Sequence, residues 1–229
     1  EAVLEGTKRI LAESNTPLDA VELVIHGTTL ATNALIERKG AKTGLIATEG
    51  FRDSVEIAYE HRFEQYDLYM DRPTPLVPRH RRLGVSERMA ADGSILLPLD
   101  EEAVVGQARA LRDEGIEALA ICFLHSYMNA AHEERARELV AGELPDVAVT
   151  ISSEVCPEIR EYERMSTACA NAYVQPMMAR YLGRLESGLA GIGLACPLLL
   201  MMSSGGITTV ETASRQPIRL VESGPAGGA

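Results

Sequence analysis

Apolar and polar positions alternate in blocks along this chain, and the blocks predict an order of elements. Val3, Leu4, Thr7, Ile10 and Leu11 recur at helical spacing, and the Asn15-Thr16-Pro17 turn ends that helix. Residues 21–25 form a short run with β-branched members, read as a strand; residues 31–39 are helix formers with Ala31, Ala34 and Leu35 on one side. Residues 43–48 read as a second, buried strand, so strand, helix and strand predict a right-handed parallel crossover. Residues 83–89 and 94–97 predict a hairpin through Ala91-Asp92-Gly93. Residues 100–114 predict a helix with Val104, Ala108 and Leu111 inward and Gly115 as its stop, followed by a strand over 118–124. A helix over 132–142, a strand over 147–152 and a long helix over 159–189, kinked or broken at Pro176, come next. Apolar strands over 197–202 and 218–221 each empty into a glycine- and serine-rich loop. Such alternation is the signature of an α/β protein.

Strand ends are where α/β proteins place ligands, and three of them here have unusual composition. The first is His26-Gly27-Thr28-Thr29, opening the helix that carries Asn33. Thr28 or Thr29 can cap that helix, and its first amides favour an anion or a polarised oxygen. Capping alone is the simpler reading of the two threonines, and a neutral imidazole bonded to backbone is the simpler reading of His26. Asn33 is a mediocre helix former, which suits a ligand-facing or solvent-facing place. The other two ends are Ser203-Ser204-Gly205-Gly206 and the segment with Ser223, Gly224, Gly227 and Gly228. Glycine allows close backbone approach and hydroxyls add donors, although a Gly-Gly pair after a strand is also a common turn.

With 229 residues the chain can bury about 70% of its unfolded surface and needs no staple. A net charge of −11 argues against nucleic acid and against an anionic membrane surface, and for a small-molecule or protein partner. The basic cluster Arg79-His80-Arg81-Arg82 is expected to be a solvated strand edge or a partner-facing loop. Residues 51–76 read as a surface excursion, and the charges from Glu158 to Arg164, Glu161 among them, as a solvated helix start. Cys122, Cys156, Cys169 and Cys196 have no metal or redox spacing and read as reduced thiols, the pairs Met177-Met178 and Met201-Met202 as core. No run has the length of a membrane span and the first residues are no secretion signal, so a cytoplasmic setting is expected. The missing initiator methionine suggests residues upstream.

The ordered set of His26 to Gly40, Leu124-His125-Ser126-Tyr127, the segment from Ile151 to Arg164, Asn171-Ala172-Tyr173-Val174, Ser203 to Gly206 and Ser223 to Gly228 closely resembles the hydantoinase A and 5-oxoprolinase family, which includes the acetone carboxylase β-type subunits. The resemblance covers essentially the whole chain. It implies part of an actin-like, ribonuclease H-like ATPase fold, with residues 1–165 the remainder of an N-terminal domain and 166–229 the beginning of the hydantoinase A domain. It further implies an ATP- and Mg²⁺-dependent subunit that phosphorylates a cyclic amide before ring opening, or acts on a ketone, beside a hydantoinase B-type partner. A non-catalytic assembly segment is the alternative from another class. On this resemblance His26 is the candidate catalytic group and Thr28, Thr29 and Asn33 bind substrate. Ser203, Ser204, Gly205, Gly206, Gly224, Gly227 and Gly228 form nucleotide-cleft loops, the last three favoured for packing. The family's Asp-x-Gly-Gly-Thr phosphate loops are absent from this sequence, and Ser203-Ser204 stand where an aspartate would precede Gly205-Gly206. The chain alone is therefore expected not to hydrolyse ATP.

Overall fold

A computed structural model of the chain describes residues 2–59, 64 and 66–223. In chain order it contains α1 (Ala2–Glu13), β1 (Val24–His26), α2 (Leu30–Ile36), β2 (Thr43–Thr48), the single turn α3 (Ser54–Ile57), β3 (Arg82–Val85), the short strands β4 (Arg88–Met89) and β5 (Ile95–Leu97) and α4 (Glu101–Asp113). It continues with β6 (Ala118–Cys122), α5 (Ala131–Glu143), β7 (Ala148–Ile151), the turn α6 (Ser152–Val155), α7 (Glu161–Gly191), β8 (Leu198–Met201), β9 (Ile207–Thr209) and α8 (Val210–Arg215). The elements fall into two compact units, one of residues 1–39 with 177–229 and one of residues 40–176. No described helix is long and apolar enough to cross a membrane.

In the unit of residues 40–176 four parallel strands lie in the order β3-β2-β6-β7. Every residue of β2 and β6 is buried, as a parallel strand covered on both faces requires. Side chains alternate across the sheet: Ile46, Leu119 and Ile121 pack with Val104, Ala108 and Leu111 of α4 and Ala136 and Val140 of α5. Leu45, Ala47, Ala118 and Ala120 pack on the other face with Met165, Ala168, Cys169 and Ala172 of α7. Asp100 caps α4 by accepting from the Ala103 amide at 2.9 Å, and Gly115 follows that helix at φ +72°. The expected hairpin is shorter than predicted. Residues 82–85 join the parallel sheet as its edge, because β2 offers a buried neighbour there, and only β4 and β5 pair antiparallel.

The other unit is built on the sheet β1-β8-β9, with β1 parallel to β8 and β8 antiparallel to β9. The expected β1-α2-β2 crossover does not form, since β1 and β2 lie in different sheets. The partner of Val24 to His26 is the distant run Leu198 to Leu200, which local periodicity cannot reveal. Residues 203–206 make the hairpin turn between β8 and β9: the Gly205 amide donates to the Met202 carbonyl at 3.0 Å, with Gly205 at φ +82°. The expected strand over 218–221 is instead a 3-10 turn, Pro217–Leu220, because Pro217 at its start fixes φ and lacks the N–H a strand would use. Helix α7 runs through Pro176 without a break.

Candidate functional site

His26 closes β1, and Gly27 and Thr28 carry the chain into α2. The capping expectation is modified at this junction. Thr29 holds the N-cap position at φ −96° and ψ 9° but makes no side-chain cap bond, and Thr28 Oγ1 accepts from the Leu30 amide at 3.2 Å. Asn33 is exposed on α2, its amide donating to Thr29 Oγ1 at 3.4 Å. The His26 ring is half-buried, with Nε2 2.8 Å from Tyr181 Oη. Burial pulls the imidazole below its ordinary pKa of 6.5, so it is neutral at pH 7. Burial pushes the Tyr181 phenol up, and the nearby Thr28 hydroxyl opposes that rise.

Two further segments are tied to this junction. The Thr28 amide donates to Ser223 Oγ at 3.3 Å and the Ser223 hydroxyl donates back to the Thr28 carbonyl at 3.0 Å. The Glu222 amide donates to Thr32 Oγ1 at 3.2 Å. Ser203 donates through its amide to the Arg219 carbonyl at 2.8 Å and through its hydroxyl to the Arg219 and Val221 carbonyls. The structure thus links residues 26–32, 203 and 219–223 in one hydrogen-bonded group. Ser204 and Gly205 lie exposed at the hairpin tip, and nothing stands within 4 Å of where a Gly205 side chain would begin. Gly224, Gly227 and Gly228 lie outside the described residues.

Tyr181, Thr32 and the reciprocal partnership of Ser223 with Thr28 were not foreseeable from local pattern. Tyr181 is 155 positions from His26 in sequence and sits in a helix whose composition gives it no distinction. For a phosphate the exposed backbone of Ser204 and Gly205 fits close approach, whereas the Ser203 hydroxyl is already engaged. For a divalent cation the fit is absent: no group of three or more His, Cys, Asp or Glu converges among the described residues.

In the other unit, the carboxyl edge of the parallel sheet is closed by buried polar groups. Glu133 accepts from the Phe123 amide at 2.8 Å, the Ser152 hydroxyl at 2.6 Å and the Ser153 amide at 2.8 Å. Glu87 accepts from Thr48 and pairs with His132 Nδ1 at 2.8 Å. Two sequence expectations are corrected there. Arg164, read as part of a solvated helix start, is 1% exposed and donates to the Phe123 and Glu158 carbonyls, because that strand end needs a buried donor. Arg82, read as part of a solvated edge or loop, is 2% exposed, donating to the Val77 carbonyl at 2.8 Å and pairing with Glu56 at 2.7 Å. Arg79 does stay exposed, in a two-point pair with Asp53 whose hydrogen bonds hold that carboxyl below the usual range. Glu161 is exposed.

Residues 1–144 match the sequence profile of the hydantoinase/oxoprolinase N-terminal region, and residues 164–229 match that of hydantoinase/oxoprolinase. The chain is 38% identical over 231 residues to caprolactamase subunit alpha of Pseudomonas jessenii, covering 98% of this chain and 33% of that protein. It is 32% identical over 256 residues to 5-oxoprolinase 1 of Arabidopsis thaliana, covering 100% of this chain and 20% of that one. With acetophenone carboxylase gamma subunit of Aromatoleum aromaticum it shares 32% over 240 residues, 99% of this chain and 32% of the other. The crystal structure of the ATP-dependent caprolactamase from Pseudomonas jessenii superposes with a TM-score of 0.90 at 37% identity, over 98% of this chain and 33% of that chain. Nucleotide-free acetone carboxylase superposes with a TM-score of 0.82 at 28% identity, over 95% and 33%. The chain therefore spans a third or less of these relatives.

Proposed function

Because the chain belongs to the hydantoinase/oxoprolinase family, we propose that the whole protein uses ATP to activate a cyclic amide for hydrolytic ring opening, and that the group around His26 meets the substrate. The observation that carries this reading is the convergence of His26, Thr28, Tyr181 and Ser223 at the mouth of one strand end. Likeness to caprolactamase subunit alpha and to 5-oxoprolinase 1 supports the cyclic amide as substrate. A ketone is the second reading, supported by the 32% identity to the acetophenone carboxylase subunit.

ATP, when bound, supplies the phosphoryl group that makes an amide oxygen a leaving group. The residues of this chain position and neutralise. Neutral His26 gives a hydrogen bond to an oxygen that gains charge, and the hydroxyls of Thr28 and Thr29 with the Asn33 amide orient the ring. Ser204, Gly205 and Gly206 lie against the nucleotide through backbone. Mg²⁺ in the whole protein would take its carboxylates from outside the described residues.

The test is ADP release and ring opening by the full-length protein with its partner subunit, over hydantoin, 5-oxoproline and caprolactam. ADP formed in step with ring opening of one of these is the expected result. ATP consumption driven only by a ketone with bicarbonate would establish the second reading instead. The relatives named as subunits also support a B-type partner, which we place against the exposed Tyr66, Leu68 and Tyr69.

A further inference from the structure

We infer a second ligand site at the carboxyl edge of the parallel sheet, where Arg164 and Glu163, beside His125 and Ser153, receive the carboxylate and the amine of an amino acid. In the order β3-β2-β6-β7 the strand after β2 lies on one side of it and the strand after β6 on the other. Segments leaving two such neighbours turn to opposite faces of the sheet, and the crevice between them is where open α/β sheets take ligands. Thr48 ends β2 there and accepts from the Leu124 amide at 2.9 Å, so residues 123–127, which continue β6, start at that crevice. Buried polar side-chain atoms normally find partners. Among the described residues His125 Nδ1, Ser153 Oγ, Glu163 Oε2 and Arg164 Nε have none, and all four belong to segments that meet at this edge. The Arg164 guanidinium bonds the Phe123 carbonyl and lies 5.4 Å from the centre of the Tyr127 ring, itself 6.1 Å from the His125 ring. Ser152 Oγ stands 3.1 Å from Ser126 Oγ, which brings Ser153 to the same turn.

The unmet groups specify the ligand. Arg164 is 1% exposed and its two bonds go to the neutral carbonyls of Phe123 and Glu158, so a buried cation keeps a free Nε–H. Such a donor suits an anionic oxygen. Glu163 accepts from Tyr59 at 2.8 Å through Oε1, and its other carboxylate oxygen is left to accept an N–H. A carboxylate alone would leave Glu163 unmet, and an amine alone would leave Arg164 unmet. Hydrolysis of a cyclic amide makes a molecule that carries both. Identifying the ligand as that product rests on the reaction proposed above, whereas the unmet groups do not.

Calorimetric titration of the full-length protein with 6-aminohexanoate and with glutamate, the ring-opened forms of caprolactam and 5-oxoproline, tests the site. Hexanoate and glutarate, which lack the amine, and the two cyclic amides are the controls. One amino acid should bind about tenfold tighter than its controls, and equally well in His26→Gln, which separates this site from the reacting one. Glu163→Gln, which keeps an acceptor for Tyr59, should cost about tenfold in amino-acid affinity and leave hexanoate and glutarate unchanged. Arg164→Gln should abolish binding of both kinds. Where it fails to fold, His125→Asn, suited to the φ of +54° at that position, should weaken both about fivefold. Absence of amino-acid binding, controls that bind as tightly, or binding lost in His26→Gln and intact in Glu163→Gln overturns the inference. A protein that binds an amino acid in this way yet opens no cyclic amide overturns the proposed reaction instead and leaves the site standing.

Discussion

The surroundings of His26 withhold a charge from it. Burial lowers its pKa from 6.5, so above that pH the ring is neutral folded and unfolded alike, and below it the unfolded chain takes up a proton that the fold resists. Stability therefore falls as pH drops through the folded value, and melting curves from about pH 7.5 to 5.5 should show wild type losing more than His26→Gln; parallel losses would mean that the ring is not desolvated. The thiols follow the same physics. Burial pushes Cys122 up to about 12 and raises Cys169 as well. Native alkylation followed by mass spectrometry should thus label the half-buried Cys156 and Cys196 and reach Cys122 and Cys169 only on unfolding. At this scale the sequence disclosed residue types but not partners. His26, Thr28 and Ser203 stood out by their place after apolar runs, whereas Tyr181 looked like any helical tyrosine. Arg82 and Arg164 looked solvated because a charge run carries no sign of the carbonyls it will serve.

The central sheet shows what apolar pattern can specify at the scale of elements. The β2 and β6 runs and the Val104, Ala108, Leu111 stripe of α4 were legible because both sheet faces are covered, so each strand is apolar throughout and each helix apolar on one side. Pairing between distant runs is not legible in local pattern: β1 reads as a neighbour of β2, whereas its partner is β8. Nor did the apolar run at 218–221 disclose that Pro217 turns it into a 3-10 segment. Two glycines test the packing in opposite directions. A side chain at Gly40 would begin 2.6 Å from the Tyr173 carbonyl and 2.2 Å from its ring, beside the bond from the Ala41 amide to that carbonyl. Gly40→Ala should destabilise by about 2 kcal/mol or more in denaturant titration. Gly106 is exposed within α4 with nothing within 4 Å, so Gly106→Ala should stabilise by about 0.5–1 kcal/mol. Glu133 is the staple of the sheet's carboxyl edge, and Glu133→Gln, which removes the charge from all three contacts and turns an NH2 donor toward at least one of the three donors, should lose about 1.5–3 kcal/mol by the same measurement.

For the molecule as a whole, family and fold agree while the chain covers 33% of the caprolactamase structure it superposes on. The 229 residues by themselves are expected to leave ATP intact, and calorimetric titration should show no tight Mg-ATP binding; a strong binding isotherm would contradict this. The partner reading belongs to this scale too. Tyr66→Ser with Tyr69→Ser should weaken co-elution with the partner subunit on size exclusion, and unaltered co-elution would remove that surface from the interface. Family membership was legible in the order of several motifs, each weak singly, whereas the tie of Ser203 and Ser223 to the His26 loop needed coordinates. The most direct measurement compares turnover and melting of His26→Gln in the full-length protein. A chemical role predicts that ring-opening kcat falls about 10²-fold or more while the melting temperature stays within a few degrees of wild type. Turnover that survives the substitution, or falls only in proportion to stability, would contradict the placement of His26 at the reacting substrate.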